Sequence, residues 1–313
     1  MPNPPAPPGA VHLDLGIHLP YHVGPGGADF WFTCLPARTP CQTVLSEVLD
    51  LGGTRFREVV DPATGTRLLR LHAAPGPIEL RYRGTIAVEP RWCDPALLEQ
   101  VPVDDLPEEV LPFLLPSRYC PSDRLPSALI NEAMAAGPGY ARALAIRDGV
   151  RRRVQFRMQG SNSTTDALDT LRDGIGVCRD FAHLMIAWCR AATLPARFTT
   201  GIDFGADPAL GPTDFHAYVE VYLSGRWWIF DPSGTAIPLG FMRLASGRDA
   251  ADAAFATSFG PVQSFRPTVS IAAVPGRDGR LRVPEHHPWA LCTAGPAPRG
   301  RTGMTPAPLR SAG

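Results

Sequence analysis

The spacing of hydrophobic positions changes character part-way along this chain. Between Val11 and about Trp92, the runs VHLDLGIHL, ADFWFTCL, QTVLSEVLDL, TRLLRLHA and IELRYRGTIAVEP are separated by Gly/Pro turns such as Pro62-Ala-Thr-Gly65. Ile78, Leu80 and Tyr82 alternate with Glu79, Arg81 and Arg83, the period of two that a half-buried strand requires. Strands at this spacing predict a small antiparallel β-sandwich over residues 11–92. Prolines then recur at 95, 102, 107, 112, 116, 121 and 126, each denying a ladder donor and disfavouring helix at the residue before it. Residues 93–126 therefore read as a linker wrapping a surface, with short helical turns around 96–100 and 108–115. From 127 the period becomes helical: 127–136, then 140 to about 154 after Gly137-Pro138-Gly139, then a helix from Thr164 or Thr165 with Asp166 in its first turn.

A fourth helix carries the first candidate chemistry. Phe181, Leu184, Met185 and Trp188 recur at helical spacing up to about Ala192, and Asp173-Gly174-Ile175-Gly176 delivers the chain to Cys178 in the first turn. Free backbone N–H groups and the positive end of the helix dipole favour an anion there, so a thiolate gains over the thiol. Cys178 is thus a candidate nucleophile, while Cys189 in the same helix is expected to be packing.

The second candidate lies in a hairpin. After the strand ARFTTGIDF and the Gly/Pro/Asp-rich loop 205–212, the run from Asp214 to Leu223 alternates strictly. His216, Tyr218, Glu220 and Tyr222 share one face, and Tyr218 and Glu220 are expected to line a cleft with His216. A two-residue turn at Ser224-Gly225 would pair Leu223 with Arg226 and set Tyr218 opposite Asp231. That register puts Asp231 and His216 on one face as diagonal neighbours, and Pro232 ends the strand at Asp231. The three residues together predict a thiol served by a general base, His216, whose tautomer is fixed by an acid, Asp231.

Composition narrows the function classes. The 313 residues with 44% hydrophobic content suit a soluble globular protein of two domains. Thirty basic and thirty acidic residues cancel, which argues against nucleic acid or an anionic membrane as partner. All the basic residues are arginine, excluding a Schiff-base or phosphate-loop lysine and any self-crosslinking through the protein's own lysines. The triplet Arg151-Arg152-Arg153 reads as a solvated helix end. Seven cysteines without CxxC pairs give no disulfide framework or zinc site, and His12, His18, His22 and His72 lack partners at ligand spacing, so no metal or cofactor is expected. MPNPPAPPGA lacks the features of a secretory signal and no 18-residue apolar run exists, so a cytoplasmic location is expected.

GVCRDFAHL, DFHAYVEVYL and RWWIFDP resemble the Cys, His and Asp motifs of the bacterial transglutaminase-like superfamily, and ASGRDAADAAFATSFG resembles a later segment of the group. The likeness spans roughly 11–275. It implies an α+β fold: a papain-like core, helices packed on an antiparallel sheet, over residues 127–275, preceded by the β-sandwich. Residues 1–10 and 276–313 are left as tails, with TVSIAAVP as a last strand. The resemblance also implies Cys178 as nucleophile, His216 as base and Asp231 as orienting acid, acting on a peptide, protein or small amide or acyl substrate through a thioester. Hydrolysis, amine transfer and a non-catalytic protein-binding scaffold all stay open. The Cys178 N–H is one natural oxyanion donor, and Gln159 or Asn162 a candidate for the second. Asp180 is expected to pair with Arg179 or another arginine, His183 to sit in the core or hydrogen-bond behind the site, and Asp249 and Asp252 to cap or pair.

Overall fold

The computed structural model describes residues 9–206, 209 and 213–294. Its N-terminal strands are β1 (Val11–Val23), β2 (Ala28–Phe32), β3 (Gln42–Asp50), β4 (Phe56–Val60), β5 (Arg67–Ala73) and β6 (Gly76–Val88). Every odd-numbered residue of β1 is buried, as the alternation requires. β6 pairs with β1 and β3 to build one sheet, and β5 pairs with β2 and β4 to build the other. Leu13, Leu19, Phe30, Phe32, Leu69 and Leu80 fill the space between them. β4 is an edge strand with mostly exposed side chains, and so has no apolar alternation to reveal it. After β7 (Arg91–Cys93) the proline-rich linker forms only single 3-10 turns, as at Pro95–Leu97 and Leu111–Leu114.

The second unit opens with α1 (Ser127–Ala135), α2 (Tyr140–Arg153), β8 (Gln155–Phe156), α3 (Ala167–Asp173), β9 (Ile175–Gly176) and α4 (Cys178–Ala191). Its sheet follows: β10 (Ala196–Asp203), β11 (Phe215–Leu223), β12 (Arg226–Phe230) and β13 (Phe241–Gly247), ordered β12-β11-β10-β13 and antiparallel throughout. Ala217, Val219, Val221 and Leu223 of β11 join α4 in one apolar cluster. Side chains from Asp180 to Arg190 are all buried, more than one stripe, because the preceding helices cover α4 away from the sheet. Trp188 is fully buried at its centre, donates from Nε1 to Leu129 O at 2.7 Å, and lies where a Cβ on Gly149 would come 2.6 Å from its ring. Burying a side chain of that size stabilises by roughly 2–3 kcal/mol or more.

The sheet's other face meets the sandwich. Ile202 of β10 and Met242 and Leu244 of β13 join the sandwich core. Gln42 adds a polar clamp: its Nε2 donates to Ala37 O and Arg243 O at 2.7 and 2.9 Å, and Arg243 N donates to its Oε1 at 2.9 Å. β11 therefore has no wet face, and the expectation that Tyr218 and Glu220 line a cleft is corrected: both are fully buried.

Two boundaries also change. After α5 (Ala250–Ala253) come β14 (Ala256–Phe259), β15 (Val262–Ser264) and β16 (Thr268–Val274). β14 pairs with β2, and β15 and β16 pair with β1, so residues 256–274 complete the sandwich instead of ending the second domain. The open edges of β1 and β2 supply unpaired donors and acceptors that these strands satisfy. The expected loose tail from 276 likewise returns as β17 (Ala290–Cys292), buried and paired with β7. Residues 295–313 and 1–8, and most of the expected loop 205–212, lie outside the described residues. Among the described residues no helix is long and apolar enough to cross a membrane.

Candidate active site

The thiol is positioned by a short chain of local constraints. Asp166 caps α3 by accepting from Leu168 N and Asp169 N, so it precedes the helix instead of lying in its first turn. Gly174 ends α3 in the left-handed region at φ 66°, where glycine is at home. β9 then pairs in parallel with β8, and α4 starts at Cys178. Asp180, fully buried, reaches back to accept Val177 N at 2.8 Å and pairs with Arg179 at 3.0 Å. Arg179 also donates to Ser161 Oγ and Asn162 O, tying the preceding loop to the helix start. Cys178 is half-buried at that first turn. Among the fully buried cysteines, burial lifts the thiols of Cys34 and Cys120 up to about 12, and that of Cys189 well upward.

The hairpin has the predicted register. Leu223 pairs with Arg226 around Ser224 and Gly225, at φ 47° and 76°, which is the backbone a two-residue turn needs to match strand twist. His216 Nε2 faces Asp231 Oδ1 at 3.5 Å. The Asp231 carboxylate is pinned by Ser233 N and Oγ, at 3.0 and 2.6 Å to Oδ1, and by Ala236 N at 3.3 Å to Oδ2. Burial would raise its pKa, but the facing His216 ring, together with the Ser233 hydrogen bonds, holds it below the usual carboxylate value. Burial would also lower His216; the charges of Asp203 and Cys178 and hydrogen-bonding interactions with Asp231 and Cys178 outweigh it and raise His216 well above 6.5. The structure thus brings Cys178, His216 and Asp231 together.

Asp203 is the member that sequence reasoning missed. It lies at the end of β10, is fully buried, accepts the Tyr218 hydroxyl on Oδ1 at 2.5 Å, and places Oδ2 3.8 Å from His216 Nδ1. The Tyr218 ring meets His216 edge-on, with centroids 4.7 Å apart, and packs on Phe241. Gly201, opposite His216, leaves room for that ring: a Cβ there would come 2.0 Å from Phe241.

The other candidates separate clearly. Asn162 Oδ1 accepts from Thr164 N and Oγ1, and Gln159 stands exposed in the left-handed region at φ 65°; neither has a described contact to Cys178. His183 is buried against Tyr119, accepts Ala250 N at 3.2 Å, and is pushed well below 6.5, mainly by burial. Asp249 caps α5 and Asp252 pairs with Arg248. A cavity of about 570 Å³ adjoins Asp231, walled by Tyr140, Arg147, Arg151, Phe230 and Trp289 among others; Cys178 is not part of its lining.

Residues 128–232 match the family model of the transglutaminase-like superfamily. The crystal structure of the "Putative Cysteine Protease" from Cytophaga hutchinsonii is 34% identical, covers 91% of this chain and 98% of its own, and superposes with a TM-score of 0.82. The chain belongs to the transglutaminase-like superfamily. "Uncharacterized protein ML0607" of Mycobacterium leprae is 25% identical over 232 residues, 70% of this chain and 81% of that protein. The transglutaminase-like fold, helices on an antiparallel sheet beside a sandwich, is the one expected, and it supports cysteine-based chemistry.

Proposed function

We propose that this protein is a cysteine-nucleophile enzyme that cleaves an amide or related acyl bond through a thioester, with water resolving the intermediate. The observation that carries the reading is His216 next to Cys178 and 3.5 Å from the Asp231 carboxylate. His216 takes the proton of the Cys178 thiol, and the sulfur attacks the carbonyl carbon. The oxyanion so formed has the Cys178 backbone N–H, free at the first turn of α4, as a donor. Collapse breaks the C–N bond as His216 gives its proton to the leaving amine, leaving the acyl thioester and neutral imidazole. Water then loses a proton to His216 and attacks the thioester; a carboxylic acid departs and the ion pair is restored. Asp231 holds the ring and supports its charge throughout. The Cytophaga relative's name favours peptides or amides as substrate. An amine in place of water would give a new amide by the same route, and in this lysine-free chain that amine would come from outside.

Stoichiometric iodoacetamide at neutral pH, followed by peptide mapping, tests the reading. Cys178 should be labelled ahead of the six other cysteines, and turnover of a peptide or amide library should vanish in Cys178→Ala. Products formed with and without added methylamine distinguish hydrolysis from transfer. Indifferent labelling together with a silent Cys178→Ala would leave a protein-binding scaffold as the answer.

A further inference from the structure

Asp203 has an arrangement that core packing alone does not explain. One carboxylate oxygen takes the Tyr218 hydroxyl, and the other, buried, has no hydrogen-bond partner among the described residues. That free oxygen faces Nδ1 of His216, the ring nitrogen that Asp231 leaves for the thiol. A buried acceptor left without a donor is destabilising, and one that faces a titratable ring can recover that cost when the ring carries a proton.

We propose that Asp203 is a second acid of this site, a positioning residue that, braced by Tyr218, holds His216 in its imidazolium form from the Nδ1 side as Asp231 does from Nε2. The inference rests on the reading that His216 serves Cys178. Its consequence is chemical: the imidazolium is the acid that protonates the leaving amine, so Asp203 extends the pH range over which that acid is loaded. The groups facing His216 are few. Cys178 comes from α4, Asp203 from β10, Tyr218 from β11 and Asp231 from the end of β12. Arg151 of α2 donates to the Asp231 carbonyl at 2.9 Å. β13 contributes Phe241, which is uncharged, while its Arg243 is engaged by Glu220. Burial raises the Asp203 carboxyl to about 6 against the lowering effect of His216 and Tyr218, so its support is present above that pH and withdrawn below it.

The test is the titration of His216 by NMR with carbon-13 at Cε1 of histidine, its signal assigned by loss in His216→Gln. In the unmodified protein the signal should show a secondary inflection near pH 6, where Asp203 takes up its proton. Asp203→Asn should abolish that inflection and lower the main His216 midpoint by about one unit or more, a tenfold shift in the equilibrium. Tyr218→Phe, which keeps the charge and removes its donor, should move the inflection to higher pH and leave the main midpoint in place. A folded Asp203→Asn with an unmoved midpoint overturns the proposal. If that variant fails to fold, a native titration without the inflection does the same. Iodoacetamide labelling of the native protein is read separately: indifferent labelling of Cys178 sinks the thiol-enzyme reading while the Asp203–His216 coupling remains measurable.

Discussion

Two buried polar clusters share one face of β11, and they are built to opposite ends. At Glu220 both carboxylate oxygens are taken, Oε2 by Arg197 Nε at 2.7 Å and Oε1 by Arg243 Nη1 at 2.6 Å, and Arg197 lies over the Trp227 ring. Burial would raise Glu220, but the two guanidiniums hold it below its ordinary value; Arg197, drawn down by burial to about 10, stays charged at neutral pH. At His216, four residues away, the contacts are longer, 3.5 Å to Asp231 and 3.8 Å to Asp203, and among the described residues Asp203 Oδ2 and His216 Nε2 are unpartnered. The unpartnered atom at the first cluster is instead a donor, Arg243 Nε, of a guanidinium already paired with Glu220. The first cluster is an internally compensated structural joint, since removing either charge leaves the other stranded. The second keeps its charges within reach but loosely held, as groups that exchange protons require.

The comparison is most exposed to failure at Glu220. Glu220→Ala leaves two buried arginines facing each other and should cost about 3–5 kcal/mol, read as a fall in the urea midpoint, without shifting the pH profile of Cys178 labelling in the protein that remains folded. A shifted profile would mean that the two clusters form one electrostatic unit. Asp231→Asn should instead move that profile. With its support at His216 lost, Cys178 alkylation at pH 6 should slow by roughly tenfold to a hundredfold, and the stability that the raised His216 supplies should be lost most fully at that pH. The sign of its stability effect is fixed by linkage. Because His216 is raised in the fold above 6.5, its contribution is whole below that value and disappears as the pH climbs through the raised one. Denaturation at a series of alkaline pH values should therefore show a fall in the native protein that is flatter in Asp231→Asn.

The same contrast separates what was legible in the sequence from what was not. Ser224-Gly225 suits a two-residue turn, that turn fixes the parity of the hairpin, and the parity puts His216 beside Asp231, as the register of Leu223 with Arg226 bears out. Asp203 lies in a strand buried at every position, which has no alternation to read. The connection between β10 and β11 is also too long to impose a register, so nothing local put Asp203 next to His216. Glu220 is illegible for a related reason: its partners come from other strands, and a carboxylate that looks cleft-facing in its own strand is neutralised from β10 and β13. The return of residues 256–274 to the sandwich was hidden in the same way, since short strands advertise their type but not their partner.

The smallest effect tests whether the helix start, as distinct from the helix, sets the thiol. A Cβ on Gly176 would come 2.7 Å from the Asp180 Cβ, and Asp180 is packed too tightly to yield without losing its bond to Val177 N. Gly176→Ala should cost about 1–2 kcal/mol, the loss of a cap with slight overpacking, and slow Cys178 labelling by roughly twofold to fivefold as the first turn shifts relative to His216. Gly149→Ala supplies the control, because its Cβ would meet the Trp188 ring, buried in the later turns of the same helix, at 2.6 Å. Comparable destabilisation there, seen in urea, should leave the labelling rate unchanged. Equal slowing in both variants would mean that the thiol responds to the stability of α4 as a whole, and the local chain from Gly174 through Asp180 would then not be what aims Cys178 at His216.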